Sequence, residues 1–590
     1  MLYPKPLSCV EETEADNNYP MLPKHIFAWC RQGWCCLLQL CFLMLCLRFQ
    51  LAAFRESYPN CLSVLILAAG AFGMGFWRPH AALFAFTLSV PLLVGLEQTA
   101  FLSCPSSPSL VFSGVWIGME FRYLWRVRIL NEEPSDGSLY RIFSVIFIIA
   151  DILVTSVLLS LSWQILRNQG SAGLWVSFFS RSVFAYSDPL YFITSAFIWL
   201  QGLFFLKTLG AQSMDIRACD KNCRVRTNLT LSVWVKPVFV IYSAIMAVFF
   251  LIQLFYHIPE GWAVAGFQSP YEDISSFGSI ALTVLVFTLA ILRRSNWSRL
   301  TFDVFYLLGL FTMYVSSWSR AAWLAGILFL FLLTCLRLRR RWVFAFIVLI
   351  IGSIAIANAL PSSWTRQVYL SRFVTLVRLE RPVDKVPGRI MLYKRGLGMV
   401  ADSPMFGHGI GSFYITSMSY DHRVDTWYIV PDFAHNVFLQ IAAEQGVPVA
   451  LVFSGLCYWA LWLGWKTWKI TKGKNQRTDC RQCQTNSPAK PDRQIKNYRE
   501  ASDIRIFASD IEETKNRTDV GKKMRESDRL TVLGVTFALG AYLMTQMTAN
   551  SLNVYVSNQF FFWFLLAAVL CLAGPRSDEG EQKPVNLVRQ

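Results

Sequence analysis

Apolar runs recur along most of the chain, and short polar connectors separate them. An α-helix rises 1.5 Å per residue, so about 20 apolar residues cross the hydrocarbon core of a bilayer. The pattern therefore predicts about fourteen membrane-spanning helices. The predicted spans lie near residues 33–50, 61–77, 79–97, 109–125, 142–165, 188–207, 237–255, 275–292, 300–317, 321–336, 343–360, 448–467, 530–549 and 558–573.

Basic connectors predict the orientation of these spans, because lysine and arginine collect in the cytoplasmic loops of membrane proteins. The segments RACDKNCRVR (217–226), RRSNWSR (293–299) and RLRRR (337–341) are therefore predicted to be cytoplasmic. Counting spans from these segments puts both termini on the cytoplasmic side and the polar region 361–447 on the outside.

The predicted fold class is an all-α polytopic membrane protein, a bundle of about 12–14 transmembrane helices with one large external loop. A second polar region, the insertion 468–529, has few aromatic residues and no sustained periodicity, which predicts a mobile segment without a catalytic residue. The predicted division of the chain is a cytoplasmic N-terminal segment 1–32, a transmembrane bundle 33–360, the external loop 361–447, a transmembrane helix 448–467, the cytoplasmic insertion 468–529, two transmembrane helices in 530–573 and a cytoplasmic tail 574–590.

Composition agrees with a membrane protein and excludes an ordinary soluble one. Hydrophobic residues make up 54% of the 590 residues and charged residues only 16%. The mean hydropathy is +0.39. The net charge of +17 does not predict a nucleic-acid partner, because basic connectors that face the cytoplasm account for it in a membrane protein. The predicted partner is the lipid bilayer.

Cations concentrate in the external loop, where Arg372, Arg378 and Arg395 belong to a basic segment opposed only by Glu380 and Asp384. Long loops are exempt from the tendency that keeps positive charge inside. Cations held outside a bilayer indicate an anionic ligand carried by a lipid, such as a polyprenyl diphosphate. Unspecific attraction to lipid headgroups is the alternative.

The segment DFAHNVFLQIAAEQGVP (432–448) places His435, one of only 6 histidines, at the edge of a predicted span. A short interfacial helix is predicted from Asn436, with Gly446 as its stop and Pro448 in the first turn of the next helix. A histidine at the start of that helix can take a proton from a hydroxyl. In the alternative interpretation, Asn436 or Asp432 caps the helix and His435 is only its polar neighbour.

Three further features offer binding chemistry at the same external face. Arg320, in SSWSRAAW, lies between two spans, where it can bind a diphosphate bidentately or simply extend its side chain to the interface. Gly409 and Gly411, in FGHGIGSF, can cradle a phosphate with successive amides or form an ordinary turn. Asp273, in SPYED, can orient a sugar or pair with a loop arginine.

SSWSRAAW, GRIMLYKRGLGMVADSPMFGHGIGSF (388–413) and AHNVFLQIAAEQGVP (434–448) follow one another in this order. Together they resemble the bacterial O-antigen ligase family and its superfamily, which includes O-antigen polymerases and protein O-oligosaccharyltransferases. The resemblance is concentrated in residues 267–456. This chain departs from the family in its longer cytoplasmic insertion, in more predicted spans, and in SPYED where a proline–asparagine pair is common.

The resemblance implies a multi-pass protein of the bacterial inner membrane whose large external loop is periplasmic and catalytic. It implies a glycosyltransferase that needs no metal or nucleotide cofactor. The donor would be a glycan on undecaprenyl diphosphate, and the acceptor a glycan, lipid A-core or protein hydroxyl. The motif matches make His435 the base, and Arg320 and Arg389 the groups that hold the diphosphate; Asn436 belongs to the same motif as His435.

Two function classes compete with glycan transfer. A transporter of lipid-linked sugars would show inverted repeats and polar sites at the bilayer midplane, whereas here the polar residues gather in one external loop. A structural membrane protein would leave His435 and the loop arginines without a role.

Overall fold

The structure is a computed structural model that describes residues 37–44, 46, 61–98, 107–125, 140–167, 191–218, 230–257, 274–291, 297–317, 319–336, 389–420, 433–485, 529–547 and 556–573. Every regular element within these ranges is a helix. The predicted all-α fold is therefore confirmed for the described part of the chain.

Sixteen α-helices and one 3-10 helix are named here in chain order. They are α1 (37–44), α2 (Cys61–Trp77), α3 (Pro79–Gln98), α4 (Ser107–Leu124), α5 (Tyr140–Arg167), α6 (Tyr191–Ala218), α7 (Thr230–His257), α8 (Ile274–Ile291), α9 (Trp297–Ser316), α10 (Arg320–Leu336), α11 (Arg389–Asp402), α12 (Phe413–Thr416), the 3-10 helix Ser417–Tyr420, α13 (Val437–Gln445), α14 (Val447–Thr485), α15 (Arg529–Met547) and α16 (Val556–Ala573).

Described helices coincide at least in part with every predicted span except 343–360, which lies outside the described residues. Two of them contain a stretch long and apolar enough to cross a membrane, Val447–Lys469 and Arg529–Met547. Most of the others contain shorter apolar helical stretches. The number of crossings and the orientation of the chain stay predictions.

One boundary differs from the sequence prediction. Helix α14 continues to Thr485, well past the predicted end at residue 467 and into the region predicted to be mobile. The added segment is polar but rich in lysine, arginine and glutamine, which are good helix formers. Helical propensity therefore extends α14 where the hydropathy signal stops.

Two helices form the centre of the bundle, α6 and α16, which pack against each other. Helix α16 is buried on all sides from Phe560 to Leu570, and α6 is similarly buried between Ala196 and Phe205. A helix that is apolar all round belongs inside a bundle rather than on its surface. Gly202 allows the close contact, since a Cβ there would stand 1.9 Å from Nε1 of Trp563.

Small residues bring α2 and α4 together. A Cβ at Gly114 would stand 2.3 Å from the carbonyl oxygen of Ala68, and one at Gly118 would stand 2.2 Å from that of Phe72. Glycines spaced four apart allow two helix backbones to touch, as is common between membrane helices. The two backbones are therefore in close contact, and the rings of Phe72 and Phe76 on α2 also lie against that of Phe121 on α4.

Candidate functional site

Helix α13 begins and ends at residues that the sequence marks. Its N-cap, Asn436, accepts hydrogen bonds through Oδ1 from the backbone amides of Phe438 at 3.0 Å and Leu439 at 3.1 Å. Gly446 ends the helix with φ 92° and ψ 160°. These positive angles favour glycine. The predicted helix and its glycine stop are confirmed, and Pro448 lies in the first turn of α14 as predicted. The cap is Asn436, as the alternative interpretation of His435 has it.

His435 directly precedes this cap and has a left-handed backbone, with φ 49°. Asparagine, aspartate and histidine are the side chains most often found there, but the conformation still costs free energy. Ala434 just before it is buried with Met399 and Phe413, so packing on one side and the helix cap on the other hold the turn. His435 is partly buried, and it lies where α13 begins, next to the contact of that helix with α11.

A buried carboxylate lies at the other end of α13. Glu444 is 2% exposed. It accepts hydrogen bonds from the backbone amide of Gly411 at 2.9 Å and of Phe413 at 3.3 Å, and from Nε2 of Gln440 at 2.9 Å. Burial raises the pKa of this carboxyl group to about 7, and the three donors oppose that rise. Oε1 of Gln440 also accepts from the amide of Ala434 at 3.4 Å, so the network reaches the residue beside His435.

The glycine loop, residues 403–413, wraps around the end of α13. Gly407, Gly409 and Gly411 all have positive φ angles, 64°, 103° and 73°. The amide of Gly409 donates to the carbonyl oxygen of Glu444 at 2.7 Å, and the amide of Gly411 to its carboxylate. In this conformation the two amides bond within the chain, and the prediction that Gly409 and Gly411 contact substrate stays a prediction.

Helix α5 supports both parts of this unit. Ser160 accepts a hydrogen bond from the amide of Ile410 at 2.7 Å, and Ser156 lies 3.5 Å from Oε1 of Gln445. The loop and α13 are therefore seated on a bundle helix that lies more than 200 residues earlier in the chain.

A second histidine lies inside the glycine loop. Nε2 of the buried His408 is 3.1 Å from the carbonyl oxygen of Met399 and 3.2 Å from the hydroxyl of Tyr420, which donates to Asp402 at 2.6 Å. Because the carbonyl can only accept, Nε2 carries the proton in this arrangement. His408 thereby ties the loop to the end of α11 and to the 3-10 helix.

Arg395 faces the interior of the same unit. It is 2% exposed, and Met399 lies one turn further along α11. Its neighbour Gly396 lies against α13, since a Cβ there would stand 2.9 Å from the Leu439 side chain. A buried guanidinium is costly unless charged or polar groups surround it. Arg395 is therefore a buried charge of α11, next to the apolar cluster of Met399, Phe413, Ala434 and Ala443.

Helix directions show which end of the bundle this unit occupies. Gly278 of α8 lies against Ser319, so α8 and α10 begin side by side. Gly534, near the start of α15, lies against Phe287 and Ile291 near the end of α8. Helix α15 therefore ends where α8 and α10 begin.

Helix α11 lies at that end. The hydroxyl of Tyr393 donates to the carbonyl oxygen of Met547, the last residue of α15, at 3.4 Å. Arg320 is the first residue of α10, and the Ser319 hydroxyl caps this helix by accepting from the amide of Ala322 at 3.3 Å. Arg320 is thus at the same end of the bundle as α11 and His435.

The remaining predicted site residues divide into two groups. Arg389 is the first residue of α11, about two turns before Gly396. Arg372, Arg378 and Asp273 lie outside the described residues. Within the part of the chain that the structure describes, no three His, Cys, Asp or Glu side chains cluster as metal ligands would.

The roles of Glu444 and His408 were not predicted from the sequence. The helical pattern puts Gln440 and Glu444 on a polar face of α13, and that face is buried rather than exposed. Their spacing of four residues is a visible signal, because such a pair can bond along a helix. The backbone amides that bond Glu444, those of Gly411 and Phe413, lie 33 and 31 residues upstream, and helical spacing carries no information about them.

Replacing Gly446 with alanine is expected to destabilise the loop by about 2 kcal/mol or more, because its backbone angles suit only glycine. The new Cβ would also stand 2.2 Å from the carbonyl oxygen of Met405. Thermal unfolding in detergent and protease sensitivity of the loop measure the effect. Gly455→Ala is the matched control, since nothing lies within 4 Å of its added Cβ; equal stability of the two variants would contradict the assignment.

Comparison with protein families finds a match for one part of the chain. Residues 304–454 match the model of the O-antigen ligase family. The match runs from α9 to the start of α14 and so includes Arg320, α11, the glycine loop and His435. The matched residues contain the motifs described above, so the match confirms their resemblance to the O-antigen ligase family over this part of the chain. A comparison with curated proteins finds no match.

Proposed function

We propose that this protein transfers a glycan from undecaprenyl diphosphate to an acceptor hydroxyl at the periplasmic face of the bacterial inner membrane. One observation carries the proposal. His435 has a left-handed backbone directly before the cap of α13, inside the region that matches the family model. Strained backbone held by its surroundings is typical of functional sites.

In the proposed reaction His435 is the general base. The acceptor oxygen attacks the anomeric carbon of the donor glycan while the imidazole takes its proton. A new carbon–oxygen bond forms, and the bond between the anomeric carbon and the diphosphate oxygen breaks. The diphosphate leaves on its lipid carrier with the bonding electron pair.

Negative charge grows on the diphosphate during this step, and we assign Arg320 and Arg389 to stabilise it. Preorganised cations aimed at a developing charge are among the strongest catalytic devices in proteins. Support for Arg320 comes from its position at the end of the bundle that α11 occupies. No metal ion or nucleotide enters the proposed step.

The other predicted contacts belong to substrate binding. We assign Arg372, Arg378 and Arg395 to the anionic donor, and Asn436, Gly409, Gly411 and Asp273 to the glycan or its diphosphate.

Replacing Arg320 or Arg389 with alanine is expected to raise the donor concentration needed for half-maximal transfer and to lower the maximal rate. Lysine at either position should restore the activity only in part, because an ammonium cannot form the bidentate contact of a guanidinium. Transfer from a purified lipid-linked glycan, followed over donor and acceptor concentrations, measures this. An unchanged donor dependence in the alanine variants would remove these residues from the site.

The acceptor is the open part of the proposal, since lipid A-core ligase, polymerase and protein O-oligosaccharyltransferase share this chemistry. A deletion strain compared for lipopolysaccharide, secreted polysaccharide and glycoproteins tests it. Loss of one product class together with accumulation of the lipid-linked glycan is the expected result. A purified protein that moves the lipid-linked glycan across a bilayer without forming a new glycosidic bond would instead identify a transporter.

A further inference from the structure

Two apolar side chains are exposed near the start of the glycine loop, just after the end of α11. Met405 is 61% exposed and Phe406 is 77% exposed. They follow Pro404 and precede Gly407, so both belong to one short tip. Single exposed apolar residues are common on protein surfaces, but this pair has a specific neighbour.

That neighbour is the first turn of α14. The carbonyl oxygen of Pro404 accepts a hydrogen bond from the amide of Val447 at 2.8 Å. The backbone of Met405 lies against Gly446, where an added Cβ would stand 2.2 Å from its carbonyl oxygen. The tip is therefore fixed at the residue where the apolar stretch Val447–Lys469 begins.

The exposed apolar surface continues from the tip onto α14. Leu451, one turn after Val447, is 66% exposed, and Tyr458 two turns further is 70% exposed. A helix long and apolar enough to span a membrane presents such residues to lipid. At the level where the span begins, the bilayer interface accommodates aromatic and apolar side chains.

We propose that the Met405–Phe406 tip inserts into the lipid leaflet at which α14 begins. The insertion docks the unit formed by α11, the glycine loop and α13 onto the membrane surface, and so holds His435 at the level of the lipid headgroups. The bilayer is the occupant because the tip adjoins a candidate span and continues its exposed apolar face. This proposal is independent of the chemistry assigned to His435.

Photocrosslinking tests the contact directly. Phe406 is replaced by p-benzoylphenylalanine, a close analogue, and the full chain is irradiated in native membranes and analysed by mass spectrometry. The control carries the same residue at Ser419, which is exposed on the polar 3-10 helix. We expect lipid adducts several-fold more abundant at position 406 than at 419. Equal adducts at both positions, or crosslinks only to a second copy of the chain, would overturn the proposal.

Methionine oxidation in the unaltered chain gives a second measurement. In lipid nanodiscs, inserted Met405 should react with aqueous hydrogen peroxide about as slowly as Met399, which is 0% exposed and serves as the internal reference. Oxidation of Met405 several-fold faster than that of Met399 would show a tip in water and contradict insertion. Neither measurement depends on whether the protein transfers glycans.

Discussion

Replacing His435 with asparagine is expected to lower the rate of glycan transfer by about a hundred- to ten-thousandfold, while the chain still folds and inserts. Asparagine cannot take a proton from the acceptor hydroxyl. It does tolerate the left-handed backbone that His435 adopts, because asparagine is among the residues enriched there. The loss of activity in this variant therefore reports on the imidazole rather than on backbone strain.

Chemical rescue strengthens the same test. His435→Gly also accepts the positive φ angle and removes the side chain altogether. Added imidazole should restore part of the transfer activity of this variant if the missing group is a base. A folded His435→Asn variant with full activity, measured beside the natural chain and Gly455→Ala, would remove His435 from the reaction.

The second large effect is expected at Glu444, a positioning residue rather than a reacting one. The carboxylate of Glu444 accepts hydrogen bonds from Gly411, Phe413 and Gln440. In Glu444→Gln one of its two oxygens becomes an NH2 group, which is a donor and so cannot accept from these N–H groups. Leaving one such buried donor unsatisfied costs about 1–3 kcal/mol. The glycine loop should therefore open more often, and hydrogen exchange of a peptide that covers residues 408–413 should quicken.

The pH dependence of this opening distinguishes the effect of the charge on Glu444 from the effect of its hydrogen-bond geometry. Burial raises the pKa of the carboxyl group from 4.5 to about 7, so the folded loop holds a proton that the open loop releases between those values. The stability of the closed loop is then greatest below pH 4.5 and falls as the pH rises through 7, by about 3 kcal/mol in total.

Hydrogen exchange between pH 5 and 8, corrected for the intrinsic rate, measures this dependence. The natural chain and the control Gly455→Ala should lose loop protection as the pH rises. Glu444→Gln should lack that dependence, since its amide does not titrate. The same pH-dependent opening in Glu444→Gln would show that another group is responsible.

Local signals predicted the elements around the site because each depends on neighbouring residues only. The asparagine cap and the glycine stop of α13 follow from the hydrogen bonding and backbone freedom of Asn436 and Gly446. Hydropathy located most helices for the same reason. It did not predict the extension of α14 to Thr485, because helix propensity and apolar character are separate properties.

Contacts between distant segments account for what the sequence analysis missed. The helical pattern shows only that Gln440 and Glu444 share one face of α13, and their contact with the glycine loop makes them a buried network. The left-handed backbone of His435 is likewise imposed by packing of the preceding residue and by the cap that follows.

Residue patterns along the chain were enough to predict the helical character of this protein, the limits of α13 and the motif order that resembles the O-antigen ligase family. Helix periodicity, capping and motif order are properties of residues close together in the chain. Three further features come from folding in three dimensions: Arg320 begins its helix at the end of the bundle where α11 lies, Glu444 holds the glycine loop, and Ser160 supports that loop. Those outcomes depend on which segments meet after folding, and in the case of Ile410 and Ser160 the partners are 250 residues apart.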